Sequence, residues 1–364
     1  MHFARTEEQN QLAATLATLL AKRSDSAAVR AAIGSDDGFD RSLWQTLCEQ
    51  IGVAALPVPE EYDGAGFGLD ETVVVLEELG RNLAPSPLLA TTIATVALLL
   101  HGSDDAKRDL LPRLASGEIG TVVWEGATTA EPWSTVTAEG DRLTGRTVLV
   151  LDAVAAEILL VVADGALWTV DRAEVEVAPL TSMDQALQLG SVVLDAARAT
   201  RVGEALDLRP LHAVGAALAT AVQTGVARRG LEMTVAYCKE REQFGRPIGS
   251  FQALKHRMAD LLVLVESGRS ASWAAGSAAA SYVGELGPET EARLLDVSHV
   301  AQAYCSDALD QVAFETIQLH GGIAITWEHD AHLVLKRAHA LSQLFGPAHA
   351  HHVSRTGTSR PRSS

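Results

Sequence analysis

The sequence predicts an α+β chain, mainly α, in which a β-barrel or sandwich lies between an N-terminal helical domain and a C-terminal four-helix bundle. Two changes of period support this. Apolar residues recur at helical spacing to about residue 118, follow a period of two from Ile119 to Val202, and return to helical spacing from Leu206 to about Ala350. Composition is the third observation. Of 364 residues, 47% are hydrophobic but only 5% aromatic, so the core is built from small side chains that suit closely approaching helices. The expected units are residues 1–118, 119–203 and 204–352, with a disordered tail over 353–364.

Thr6-Glu-Glu-Gln9 has the form of a capping box, and Leu12, Leu16, Leu19 and Leu20 follow at helical spacing. A second helix is expected over Asp40–Gln50, with Leu43, Trp44 and Leu47 on one face. Leu56–Gly68 is a Pro/Gly-rich loop. Its Gly64-x-Gly66-x-Gly68 pattern follows no strand, so it reads as a turn rather than a dinucleotide fingerprint. Leu69–Gly80 is expected to be helical with Gly80 as C-cap, Thr91–Leu100 to be a buried helix, and Asp104–Leu114 a short one.

Short β runs follow at Thr121–Trp124, Leu143–Val150, Ile158–Val162, Leu167–Val170, Val175–Leu180 and Ser191–Leu194. The bundle helices are expected at Leu208–Arg241, Phe251–Val283, Pro288–Leu319 and Ala331–Leu344.

A net charge of −17 and a pI near 5.1 argue against nucleic acid or an anionic membrane as partner, since both need a basic surface. Three widely spaced cysteines make neither a disulfide framework nor a zinc site, so a reducing cytoplasm is the default. The N-terminus lacks the pattern of a signal peptide, and the apolar run at Thr91–Leu100 is too short to span a bilayer.

The most informative stretch is Tyr237–Asp260, YCKEREQFGRPIGSFQALKHRMAD. Pro247 and two glycines break a helix here, and an Arg, an amide and two aromatics surround the break. Arg offers a planar fork to phosphate, and aromatic rings offer stacking faces. A second element, Gln318-Leu-His-Gly-Gly322, closes the third bundle helix. Paired glycines there let a ligand approach backbone amides.

Together the two strings resemble the signature segments of the acyl-CoA dehydrogenase family. The resemblance implies that family's three-part fold, FAD as cofactor, an acyl-CoA substrate and a protein electron acceptor. In the family the Arg, Gln and Phe of the first segment touch the FAD of a neighbouring subunit. Residue by residue, it gives Arg241, Gln243, Phe244, Gln252, Gln318, Gly321 and Gly322 as candidate FAD contacts.

The family reaction removes an α proton to a Glu and a β hydride to flavin. The two positions from which the family draws that Glu correspond here to Phe345 and Gly215, and neither is an acid. No catalytic base is therefore identified. The family's flavin loop is reduced to Trp124–Thr129, and its Trp-Ile-Thr-Asn strand reads Leu149-Val-Leu-Asp152.

Three readings stay open. The chain is a subunit of an α2β2 heterotetramer whose partner supplies the base. Alternatively it is a self-sufficient homotetramer, with Glu328 or Asp330 as fallback base. Or it is a non-catalytic acyl-CoA binder or scaffold that keeps only the fold. His349, His351 and His352 are expected to lie in a fraying polar tail rather than to bind metal, and His256 and His299 to be satisfied helix-face residues.

Overall fold

A computed structural model describes residues 5–204 and 207–351. The proposed disordered tail over 353–364 lies outside the described residues, as does His352.

The chain enters through helix α1, Glu7–Arg23. Gln9 N–H donates to Thr6 Oγ1 at 3.2 Å, and the Gln9 side chain accepts from Thr6 N–H at 2.9 Å, which completes the capping box. Helix α2, Ser26–Ile33, has Asp25 as N-cap and is one the periodicity does not announce. Helix α3, Arg41–Thr46, runs on as a π-turn to Ile51. Helices α4 (Leu69–Arg81), α5 (Leu88–His101) and α6 (Asp104–Ser116) complete the N-terminal part.

Gly80 is not a cap. Helix α4 continues to Arg81 and is capped by Asn82. Gly80 instead marks the crossing of α4 with the first bundle helix, α7 (Leu208–Glu240), where an added Cβ would stand 2.4 Å from the Val222 carbonyl. Gly225 on α7 faces back, its virtual Cβ 2.1 Å from the Glu77 carbonyl. Both helices thus meet backbone to backbone.

Seven strands form the sheet: β1 (Gly120–Val123), β2 (Thr137–Glu139), β3 (Arg142–Leu151), β4 (Ile158–Ala163), β5 (Ala166–Val170), β6 (Val175–Leu180) and β7 (Leu189–Gly203), in the order β1-β4-β5-β7-β3-β2, with β6 also on β7. Strand β7 ties the sheet together. Its first residues pair with both β3 and β6, and its last with β5. All pairings are antiparallel except β1 with β4. Strand β4 is buried along its whole length, so it shows no polar alternation.

The bundle is α7, α8 (Gln252–Gly284), α9 (Pro288–His320) and the shorter α10 (Ala331–Leu341). Helices α7 and α9 run parallel at a constant offset: Gln223 Nε2 donates to Ser306 Oγ, 83 residues on, and Thr234 Oγ1 to Thr316 Oγ1, 82 residues on. Their C-terminal ends therefore finish side by side.

Candidate functional site

At that shared end the two signature segments meet. Tyr237, one turn before the end of α7, stacks on His320, the last residue of α9, with ring centroids 4.5 Å apart. The segment after α7 is a hairpin of β8 (Glu242–Gln243) and β9 (Arg246–Pro247). Its two turn residues, Phe244 and Gly245, have φ of 55° and 75°, the left-handed pair of a type I′ turn. For a non-glycine residue that backbone costs roughly 1–2 kcal/mol. Phe244 is nevertheless 92% exposed and gains little burial within the chain.

The hairpin leans on Phe251, the N-cap of α8. The Arg246 guanidinium lies 4.0 Å over the Phe251 ring, and Phe244 meets that ring edge-on at 6.1 Å. Gln243 and Gln252 turn to local partners, the Glu242 carbonyl and His256. Beside the hairpin, Gln318, Gly321 and Gly322 are exposed, and no heavy atom comes within 4 Å of a Cβ built at either glycine. Their backbone is open to a ligand. Exposed apolar groups continue around the rim at Ile325 and Trp327.

The second assembly lies where the sheet meets the bundle. Phe345 and Gly215, far apart in sequence, touch: a Cβ on Gly215 would stand 2.4 Å from Phe345 Cε1. Phe345 is fully buried with φ 57°. Its N–H donates to the Ala127 carbonyl at 2.8 Å, and its ring meets His212 edge-on at 5.5 Å. His212 Nε2 donates to the Thr129 carbonyl at 2.7 Å. The Trp124–Thr129 loop is thus fastened to the bundle through two of its carbonyls. Burial holds off the imidazolium of His212 and pushes its pKa down to about 4.

His351 does not lie in a fraying tail. It is buried, and its Nε2 donates to the Phe345 carbonyl at 2.9 Å. The carbonyl fixes that nitrogen as the donor, so for a neutral ring Nδ1 is the acceptor, and it takes the Nδ1–H of His299 at 2.7 Å. His299 is thus a satisfied residue of helix α9, as expected, and through His351 it supports the clamp on Phe345. Leu149 sits at a bulge in β3 with φ 60°, and Leu151 is buried. Asp330 pairs with Arg30 at 2.7 Å and accepts from Ser26, a link between α2 and the start of α10.

The structure thus gathers Arg241, Gln243, Phe244, Gln252, Gln318, Gly321 and Gly322 at one end of the bundle, and Phe345 with Gly215 at another place. The sequence reading missed Arg246 and His212, and misplaced His351. The two-residue turn at Phe244-Gly245 pairs Arg246 with Gln243, a register that the sequence alone did not give. His212 and His351 carry no local signal, because contacts distant in sequence set their burial.

Among the described residues no helix is long and apolar enough to cross a membrane. The family models described as "Acyl-CoA dehydrogenase, N-terminal domain" and "Acyl-CoA dehydrogenase, C-terminal domain" match residues 6–118 and 213–352. The chain is 42% identical over 346 residues to acyl-CoA dehydrogenase IpdE2 of Mycolicibacterium smegmatis, covering 94% of this chain and 96% of that protein. Among solved structures, the ChsE4-ChsE5 complex from Mycobacterium tuberculosis is similar with a TM-score of 0.85 and 29% identity over 100% of each chain. The Tcur3481-Tcur3483 steroid ACAD variant is similar with a TM-score of 0.84 and 30% identity, over 96% of this chain and 97% of that one. With both of its helical parts matched and a relative this similar along nearly its whole length, the chain belongs to the acyl-CoA dehydrogenase family and is of the actinobacterial type.

Proposed function

We propose that this chain is the base-lacking subunit of a heteromeric acyl-CoA dehydrogenase, an α2β2 assembly whose partner supplies the catalytic Glu. The observation that carries this reading is the contact between Phe345 and Gly215. The family's two base positions meet at one spot, and here an aromatic ring, clamped on both sides of its backbone, fills it. A phenyl ring takes no proton, and the ring leaves no room for a carboxylate at Gly215.

The bundle end fits the other half of the role. In an acidic chain it offers Arg241, an exposed aromatic and an open pair of glycines, the donor set for an anionic nucleotide. We assign Arg241, Gln243, Phe244, Gln252, Gln318, Gly321 and Gly322 to an FAD that the partner houses. When bound, FAD accepts the β hydride of the acyl-CoA thioester. This chain's residues would grip the nucleotide and orient it, while its own acyl site stays shut. The similarity to solved acyl-CoA dehydrogenases that are themselves complexes of two named chains supports a heteromer. A soluble electron acceptor protein and a cytoplasmic setting complete the proposal.

The test is co-expression with a base-bearing acyl-CoA dehydrogenase chain. The two are expected to co-elute and to reduce an electron acceptor with acyl-CoA, with neither chain active alone. Turnover by this chain alone would refute the reading.

A further inference from the structure

Resting on that assignment, we propose that Arg246 is a second cation for the cofactor's diphosphate and makes this end of the bundle selective for a dinucleotide over a flavin mononucleotide. The register of the hairpin puts Arg246 directly opposite Gln243, and Ile248 N–H, donating to the Arg241 carbonyl at 2.8 Å, extends the ladder by one pair. Side chains alternate along a strand, so Arg241, Gln243 and Arg246 share one face, while Glu242 and Pro247 take the other.

Two features separate Arg246 from an ordinary solvated arginine. First, many arginines of this chain are paired with acids, Arg81, Arg228 and Arg269 among them. Among the described residues no carboxylate pairs with Arg241 or Arg246, although Glu240 and Glu242 flank Arg241 in sequence. Two guanidinium groups on one face of a short hairpin match two linked phosphates better than one. Second, Arg246 is already ordered. Its guanidinium lies over the Phe251 ring at 4.0 Å and the residue is exposed, so it remains accessible to a ligand. Phe244 packs against the same ring in a T-shaped contact at 6.1 Å. An arginine held this way loses less rotamer freedom on binding than a free one.

The experiment uses the two-chain complex, stripped of flavin and titrated with FAD or with FMN while flavin fluorescence is followed. Arg246→Ala is expected to weaken FAD about tenfold, the loss of one charge-assisted contact, and to leave FMN unchanged. Arg246→Lys keeps the charge but loses the fork and the stack, and is expected to fall between. Thermal melting of each variant checks that the fold is intact. If Arg241→Ala loses FAD while Arg246→Ala binds it as tightly as the parent, the inference about Arg246 is overturned and the assignment of the bundle end stands. If the parent complex takes up no FAD, the assignment fails and this inference with it.

Discussion

Phe345 combines a left-handed backbone with complete burial. The first costs roughly 1–2 kcal/mol, and the second returns roughly 2–3 kcal/mol for a ring of this size. The ring has little freedom to move, because its backbone is held by Ala127 on one side and His351 on the other. Gly215→Ala therefore places a methyl group against a locked ring and is expected to destabilise the chain by about 1–3 kcal/mol in urea denaturation. With Phe345→Leu also present the loss should be less than the sum of the two singles. His212 gives a pH signature. The unfolded chain takes its proton near 6.5 and the folded chain only near 4, so between these values the unfolded state binds more protons. The contribution is complete above about pH 6.5 and is lost on acidification toward pH 4, by roughly 3 kcal/mol. Asp152 acts with the opposite sign. Burial raises its carboxyl to about 7 despite Arg337, so its contribution weakens as pH rises toward 7. The measurement is accordingly a difference: stability against pH for the parent minus that for His212→Asn. A flat difference between pH 4 and 6.5 would show that His212 carries no such burial penalty.

Among the elements, the crossing of α4 and α7 is the tightest joint between the N-terminal part and the bundle. Gly225→Ala would press a methyl group onto backbone atoms of Glu77 and Arg81, 2.1 and 2.7 Å away, which cannot rotate aside. A loss of at least about 2 kcal/mol is expected in denaturant titration, against less than about 0.5 kcal/mol for Gly284→Ala, whose surroundings are open. This joint also shows how far a sequence can be read. The long bundle helices and most strands are visible because their periodicity is local. Helix α2 is short and β2 has three residues, too few for a period to register. Gly80 was readable as a glycine near a helix end, but its reason is a partner helix about 140 residues away, which no local pattern contains. The hairpin Glu242–Pro247 lies between: its break was evident from Gly245 and Pro247, whereas its register, and with it Arg246, needed the fold.

For the molecule as a whole, a cluster of buried acids fixes how the helices meet. Glu77 and Glu78 are buried on α4; Arg81 pairs from the same helix, and Arg5, Arg228 and Arg269 reach them from three other segments. That network ties α4 to the bundle, while the bundle end that carries Gly321 and Gly322 stays exposed. The candidate contacts there were legible as motifs, and the empty base positions were legible by counting from them. That Phe345 and Gly215 touch was not, because 130 residues and the whole bundle separate them. The account therefore predicts a molecule complete at one end and closed at the other, whose cofactor site needs a second polypeptide. The most direct test is flavin content per chain, read from absorbance after gel filtration, for this protein alone and with a base-bearing acyl-CoA dehydrogenase chain. The account predicts a colourless lone protein and one FAD for each pair of unlike chains in the complex. One FAD per chain in the lone protein would contradict it.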